Sequence, residues 1–385
     1  MKVATIVGAR PQFVKAAVVS RAFRSHTSIE ETLVHTGQHY DDRMSKVFFE
    51  QLEIPKPKYN LGIGSAPHGE QTGRMLRDIE AVLVDLAPDS VLVYGDTNST
   101  LAGALAAAKM HIPVLHVEAG LRSFNRRMPE EINRIVTDQL ADLLFVPTDT
   151  ALINLCREGI CPDRIHQVGD VMYDAALYYG AKAEQHSPVL SDFRLVGGEY
   201  ALATVHRAEN TDDLGRLRVI CKTLARLTEQ LPVVLPLHPR TRKMLEHHGL
   251  LKELRQVYVA DPIGYLDMLM LEKNARIVLT DSGGVQKEAF FFQRPCVTFR
   301  DETEWLELVD LGWNRLAPPV SVESQLREIE TALKSTPSNG HWPFGSGKTA
   351  ERIAEIVASM EPQPDLVSKS TVSQAKRKAR ATSAI

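Results

Sequence analysis

At 385 residues, 44% hydrophobic and 24% charged, the chain exceeds one ordinary core and is expected to fold as two soluble globular domains. A formal net charge of -3 gives no global attraction to nucleic acid or an anionic membrane, so any anion site must be local. Cys156, Cys161, Cys221 and Cys296 form no Cys-x-x-Cys pair and no Cys/His array at zinc spacing. That excludes a disulfide framework and a structural metal from the expectation and fits a reducing, cytoplasmic compartment.

The chain opens with Met1-Lys-Val-Ala-Thr-Ile-Val7, a buried-strand pattern with no long apolar stretch or cleavage signal behind it, so neither secretion nor a membrane span is expected. Strand-like runs at 2–7, 31–36, 91–95, 113–117 and 143–147 alternate with amphipathic stretches near 12–25, 41–51, 70–86, 99–110 and 130–141. Such alternation predicts a largely parallel sheet with helices on both faces. It pauses over 170–197, then resumes with runs at 200–205, 233–237, 257–259, 277–280 and 296–299, before a closing helical segment at 349–360. The expected fold is α/β, with doubly wound parallel-sheet domains over residues 1–175 and 176–360. Residues 361–385, with Lys376, Arg377, Lys378 and Arg380 and almost nothing to bury, read as a disordered basic tail.

Acids stand where strands end. Val-Leu-Val-Tyr-Gly leads into Asp96, and Val-Leu-His-Val leads into Glu118, so both should project from the carboxyl edge of the sheet, where open α/β proteins bind ligands. Pro129 suits the first position of a helix that opens with Glu130 and Glu131. Asp96 beside Thr97 also reads as a helix cap, and Glu130 as an acid favoured by the helix dipole. Glu118 has no such explanation. It lies between an apolar strand and Ala119-Gly-Leu-Arg122, where burial would raise its pKa unless Arg122 or Arg134 pairs with it.

Two stretches suit anions. Gly8-Ala-Arg-Pro-Gln-Phe-Val-Lys15 ends a strand at glycine and starts a helix at proline, offering backbone N–H groups with Arg10 and Lys15. In the second half a strand ends in Asp281-Ser-Gly-Gly284 and a helix follows. A phosphate on Gly283 and Gly284, assisted by Ser282, would leave Glu288 about one turn further in to reach a ribose diol. His206 also follows a strand, where a histidine binds a diphosphate when protonated or moves a proton; His238 repeats the theme more weakly. A dinucleotide fingerprint is absent, since Gly62-Ile-Gly64 continues Ser-Ala-Pro67. Gly345-Ser-Gly-Lys-Thr349 is no Walker loop, with Trp342 where its first glycine belongs, and the Tyr178 and Lys182 spacing is cheap on a helix.

The motifs Gly8-Ala-Arg-Pro-Gln-Phe-Val-Lys15, His35-Thr-Gly-Gln-His-Tyr40, Gly95-Asp-Thr-Asn-Ser-Thr100, His116-Val-Glu-Ala-Gly-Leu-Arg122, Pro129-Glu-Glu-Ile-Asn-Arg134, His206-Arg-Ala-Glu-Asn210 and Asp281-Ser-Gly-Gly-Val-Gln286 stand in order from residue 1 to about 360. Together they resemble the non-hydrolysing UDP-N-acetylglucosamine 2-epimerases. The resemblance implies two Rossmann-like domains of the GT-B type facing a central cleft, a homodimer, a UDP-sugar substrate and no nicotinamide, metal or other cofactor. It implies inversion of C2 by elimination of UDP across C1 and C2 to a 2-acetamidoglucal, followed by re-addition. By resemblance Asp96, Glu118 and Glu130 are the acid/base set with His206 in the catalytic group. Arg10, Lys15 and His206 then neutralise the departing diphosphate, Arg134 contacts substrate, and Ser282, Gly283, Gly284 and Glu288 bind UDP.

One position departs from the family. Trp305 follows Arg300-Asp-Glu-Thr-Glu304 where many members have arginine, and residues 300–316 look closer to the branch acting on UDP-2,3-diacetamido-2,3-dideoxyglucuronate. The expected activity is 2-epimerisation of a UDP-N-acetylhexosamine for surface polysaccharide. Alternatives are the same reaction on the diacetamido-uronate, a hydrolysing epimerase releasing free N-acetylmannosamine and UDP, a GT-B glycosyltransferase and a non-catalytic nucleotide-sugar sensor. The three acids argue against the last two.

Overall fold

A computed structural model of the chain describes residues 1–38, 52–335 and 342–361. The helix expected at 41–51, His39 and Tyr40, and the basic tail beyond residue 361 lie outside them. The described residues form two compact units, and every strand pairing in each is parallel.

The first unit holds residues 1–38, Glu53–Gly169 and 348–361. Its strands are β1 (Lys2–Val7), β2 (Glu30–His35), β3 (Tyr59–Asn60), β4 (Ser90–Tyr94), β5 (Val114–Val117), β6 (Leu143–Val146) and β7 (Ile165–Gln167), in the order β3-β2-β1-β4-β5-β6-β7. Helices cover both faces, which is why a central strand such as β4 is buried along its whole length rather than alternating. These helices are α1 (Arg10–Arg24), α2 (His68–Leu86), α3 (Asn98–Lys109), α4 (Pro129–Leu140) and α5 (Asp149–Arg157). Local chemistry starts them where they start. Pro11 lies in the first turn of α1, Thr97 Oγ1 accepts from the Thr100 N–H to cap α3, and Pro129 opens α4 with Glu130 and Glu131 at its positive end.

The second unit holds Leu52 with residues 170–335 and 342–347. Its strands are β8 (Ala201–Thr204), β9 (Val233–Pro236), β10 (Tyr258–Ala260), β11 (Ile277–Thr280), β12 (Cys296–Thr298) and β13 (Asn314–Leu316), in the order β10-β9-β8-β11-β12-β13. Alternate side chains feed separate cores. Ala201, Ala203, Leu235 and Leu279 join one, while Leu202, Val234, Val278 and Cys296 join the other. Its main helices are α6 (Val171–His186), α7 (Leu214–Leu227), α8 (Pro239–His247), α9 (Tyr265–Asn274), α10 (Gly283–Phe291) and α11 (Val322–Lys334).

The chain enters the second unit at Asp170 and leaves it after Gly347. The sequence placed the boundary after residue 175 and kept residues up to 360 in the second domain. In the structure the closing helix, α12 (Thr349–Ser359), buries Ile353, Ala354 and Val357 and packs on α1 of the first unit. The strands β3, β7 and β13 were not expected; each has only two or three residues, too few to show a period. In each sheet the strand order reverses once, between β1 and β4 and between β8 and β11, and such reversals open a crevice at the carboxyl ends of the strands. No described helix is long and apolar enough to cross a membrane.

Candidate active site

At the first reversal, Lys15 on α1 reaches the end of β5 and its ammonium bonds Glu118 Oε2, both side chains being buried. The sequence offered Arg122 or Arg134 as the partner of this acid; Lys15, which bonds it, was not among the cations offered. Glu118 has a left-handed backbone, φ 69°, uncommon for a residue with a side chain, and the N–H groups of Glu118 and Ala119 both donate to the Phe145 carbonyl at 3.1 Å. Gly95 packs against this pair. Its φ is 61°, and a Cβ there would stand 3.2 Å from both Glu118 Oε2 and Lys15 Nζ, so the turn into Asp96 needs glycine twice over.

Asp96 follows that turn. Arg134 Nη1 donates to its Oδ2 at 2.7 Å, and Asn133 Nδ2 donates to its carbonyl at 2.9 Å. Desolvation pushes the Asp96 carboxyl above its ordinary value; Arg134 and Lys15 pull it back, and the charges of Glu118 and Glu130 add to the rise. About a third of the side chain, 34%, still meets solvent. Arg134 is buried and also donates to Glu131 Oε2 at 2.7 Å. Burial alone would raise Glu131, but the Ser123 N–H and Arg134 outweigh it and hold Glu131 below the usual carboxylate range. Expected as a substrate contact, Arg134 here fixes Asp96. Glu130 lies half-buried in the first turn of α4, near enough to act on the charge of Asp96.

The turn before α1 is occupied by the chain's own groups. Gln12 Oε1 accepts from the N–H of Gly8 at 2.8 Å and of Ala9 at 3.0 Å, the amides that sequence reasoning offered to an anion. Arg10 stands half-buried at the first position of the helix.

At the second reversal His206 ends the run after β8 and Asp281 ends β11. Asp281 is fully buried and accepts from the N–H of His206 at 3.0 Å, of Arg207 at 3.0 Å and from Asn210 Nδ2 at 3.1 Å; His206 Nδ1 lies 3.2 Å from Oδ1. Burial alone would raise this carboxyl, but the bonds from His206, Asn210 and Arg207 win and lower it. The imidazole, 42% exposed, is thus oriented by a carboxylate 75 residues further along the chain. Asp281 was legible only as part of a motif; its partner could not be read.

The helix α10 begins at Gly283 with Ser282 as its cap residue, whose side chain makes no capping hydrogen bond. Its first amides are therefore a candidate anion cradle. Glu288 is buried one turn further, where Oε1 accepts from the Tyr265 hydroxyl at 2.9 Å, and burial pushes its pKa up to about 6. Beside it Lys287 bonds Asp170 Oδ2 at 2.6 Å and lies 4.1 Å from the centre of the Trp305 ring. Trp305 is buried, with Nε1 3.6 Å from where a Cβ on Gly283 would sit, so it flanks the start of α10.

Glu272 on α9 is fully buried, and neither carboxylate oxygen has a hydrogen-bond partner among the described residues. Burial, then the charge of Glu288, pushes its pKa well above the ordinary value of 4.5. A carboxyl raised in the folded state favours folding below its unfolded pKa and loses that contribution as pH rises toward the folded value. Glu272→Gln is therefore expected to stabilise the protein by about 1–3 kcal/mol at pH 8 and much less at pH 4.5. Denaturant titrations at the two pH values check this, and a gain independent of pH would contradict it.

Two Rossmann-like units, acids at one strand reversal and a glycine-opened helix at another, define an enzyme of the two-domain GT-B class that handles nucleotide sugars. Residues 21–358 match the family described as UDP-N-acetylglucosamine 2-epimerase. Over 366 residues the chain is 53% identical to a UDP-2,3-diacetamido-2,3-dideoxy-D-glucuronate 2-epimerase of Pseudomonas aeruginosa, covering 94% of this chain and 100% of that one. The crystal structure of Methanocaldococcus jannaschii UDP-GlcNAc 2-epimerase in complex with UDP-GlcNAc and UDP matches with a TM-score of 0.87 and 46% identity, over 94% of this chain and 100% of that one. The Neisseria meningitidis UDP-GlcNAc 2-epimerase bound to UDP-GlcNAc matches with a TM-score of 0.85 and 31% identity, over 94% and 100%. The chain belongs to the UDP-N-acetylglucosamine 2-epimerase family and is an isomerase.

Proposed function

We propose that the enzyme inverts C2 of a UDP-linked 2-acetamido sugar without a redox step. The observation that carries this is the pairing, at adjacent strand ends, of Asp96 and Glu118 with the buried cations Arg134 and Lys15. A hydrogen at C2 is only weakly acidic, so its removal needs a leaving group at C1, and UDP is one. One carboxylate takes the C2 proton, the C1–O electron pair leaves with the diphosphate oxygen, and a C1=C2 double bond forms. UDP then adds back at C1 while a proton reaches the other face of C2. Contact with an ammonium favours the ionised, proton-accepting form of Glu118, and desolvation favours the protonated form of Asp96, so the two suit opposite halves of the exchange. Glu130 completes the acid set.

The second unit supplies nucleotide binding in this reading. Ser282, Gly283 and Gly284 take a phosphate at the start of α10, Glu288 takes the ribose, and His206, held by Asp281, neutralises the departing diphosphate. The preferred sugar is UDP-2,3-diacetamido-2,3-dideoxyglucuronate, because identity to that enzyme is 53% against 46% to the archaeal UDP-N-acetylglucosamine enzyme. The reading includes a homodimer working in the cytoplasm. Incubating the protein with either UDP-sugar in D2O, without acceptor or cofactor, should give both C2 epimers carrying deuterium at C2 by NMR. Free sugar with UDP would indicate hydrolysis instead, and an absolute need for an acceptor would indicate transfer.

A further inference from the structure

His116 lies on β5 two residues before Glu118, is fully buried, and takes no part in the chemistry described above. Its Nδ1 meets Asp138 Oδ1 at 2.7 Å and its Nε2 meets the Gly95 carbonyl at 2.8 Å. A carboxylate and a carbonyl oxygen only accept, so both contacts are hydrogen bonds only if the ring carries a proton on each nitrogen. Asp138, also fully buried, has further donors: Arg122 Nη1 at 2.7 Å and the Gly120 N–H at 3.2 Å. Arg122 in turn donates to Glu158 at 2.7 and 2.6 Å, so two cations balance two carboxylates, and the cluster reaches the surface at Glu158.

The cluster touches both strand-end turns. Gly95 (φ 61°), Glu118 (φ 69°) and Gly120 (φ 82°) all have left-handed backbones, open to the two glycines but costly at Glu118, which needs support from its surroundings. The ring of His116 holds the carbonyl of Gly95, immediately before Asp96, while Asp138 holds the amide of Gly120, two residues after Glu118. Asp138 is also four residues from Arg134 on α4, and Arg134 is four from Glu130, so one face of that helix carries the clamp on Asp96, the clamp on the turns and the third acid.

We propose that His116 and Asp138 are positioning residues that lock the Gly95–Asp96 and Glu118–Gly120 turns in register, with His116 working as a doubly protonated ring. This rests on the reading of Asp96 and Glu118 as the acid/base pair. A histidine carrying one proton drops its hydrogen bond to either Asp138 Oδ1 or the Gly95 carbonyl, and the turn on that side loses its tie to the ring. Glutamine at 116 has a single amide group and cannot span both oxygens.

The test is His116→Gln and Asp138→Asn in the full chain, with UDP affinity measured by calorimetry and turnover by NMR, beside a spectrum of the wild-type histidine ring nitrogens. Each variant should lose roughly 100-fold in kcat while KM and UDP affinity are preserved. The double variant should lose no more than the worse single one. The wild-type spectrum should contain a ring with both nitrogens protonated at neutral pH, absent from His116→Gln among the 13 histidines. Parental kcat in His116→Gln, or a wild-type ring with one proton, overturns the proposal. So does loss of UDP affinity in step with kcat, which marks a general structural role. If the variants do not fold, the wild-type spectrum decides. Asp96→Asn and Glu118→Gln serve as controls: turnover in both removes the acid/base reading and this inference with it, whereas their inactivity beside an active His116→Gln removes this inference alone.

Discussion

Glu118→Gln should lower kcat by roughly 10³-fold and abolish deuterium exchange at C2, while UDP affinity stays at the parental level. Glutamine keeps the length of the side chain and leaves an amide oxygen for the Lys15 ammonium, so the contact that fixes Lys15 survives and only the ability to take a proton is removed. The position gives little room for rescue by water. Glu118 is 8% exposed, its backbone is left-handed, and Gly95 closes one side of it. UDP affinity is the readout that keeps the result specific, because the residues proposed to take the phosphate and ribose, Ser282, Gly283, Gly284 and Glu288, belong to the second unit, whose cores do not include Glu118. Single-turnover NMR and calorimetry on the same sample decide the matter. Parental turnover removes Glu118 from the acid/base set, and lost UDP affinity with preserved turnover assigns it to binding instead.

The ends of the strands were legible and their partners were not. Asp96 and Glu118 could be placed at the carboxyl edge from two apolar runs, because a strand buried on both faces leaves a continuous signature in a single stretch of sequence. Pairing is a different kind of information. Lys15 meets Glu118 across 103 residues, Arg134 meets Asp96 across 38, and Asp281 orients His206 across 75, and no local pattern reports such distances. By resemblance Lys15 goes to the departing diphosphate and Arg134 to the substrate, whereas in the structure each is bonded to one of the acids. The amides of Gly8 and Ala9 show the same limit. A glycine followed by a helix reads as an anion cradle, but Gln12, one turn inside that helix, turns its own side chain back to fill it. The short edge strands escaped for a statistical reason, since Tyr59–Asn60 is too brief to show any alternation. At the closing helix the apolar face was visible, but the surface it covers, on α1, was not.

Lys287→Met should destabilise the second unit by about 3–5 kcal/mol and weaken UDP binding with it. Lys287 and Asp170 are 2% and 0% exposed, with 2.6 Å between Nζ and Oδ2, so removing the ammonium strands a carboxylate inside the protein. Methionine fills most of the space beneath the Trp305 ring, which confines the loss to the charge and the cation–π contact at 4.1 Å. Asp170 also accepts from the Met172 N–H to cap α6, so the stranded group retains one bond, and Asp170→Asn in the same chain should restore part of the stability. The expected link to UDP follows from place. Lys287 is the fifth residue of α10, between the glycines that open that helix and Glu288, so an anchor lost at Asp170 loosens the helix that presents both. Urea titrations of the single and double variants, followed by tryptophan fluorescence from Trp305 and its neighbours, measure the first effect, and UDP calorimetry measures the second. A single variant as stable as the parent would mean that the buried pair contributes nothing net. A destabilised variant with parental UDP affinity would mean that α10 keeps its position without Lys287 and that its anchoring lies in the aromatic packing of Phe290 and Phe291 on Phe344.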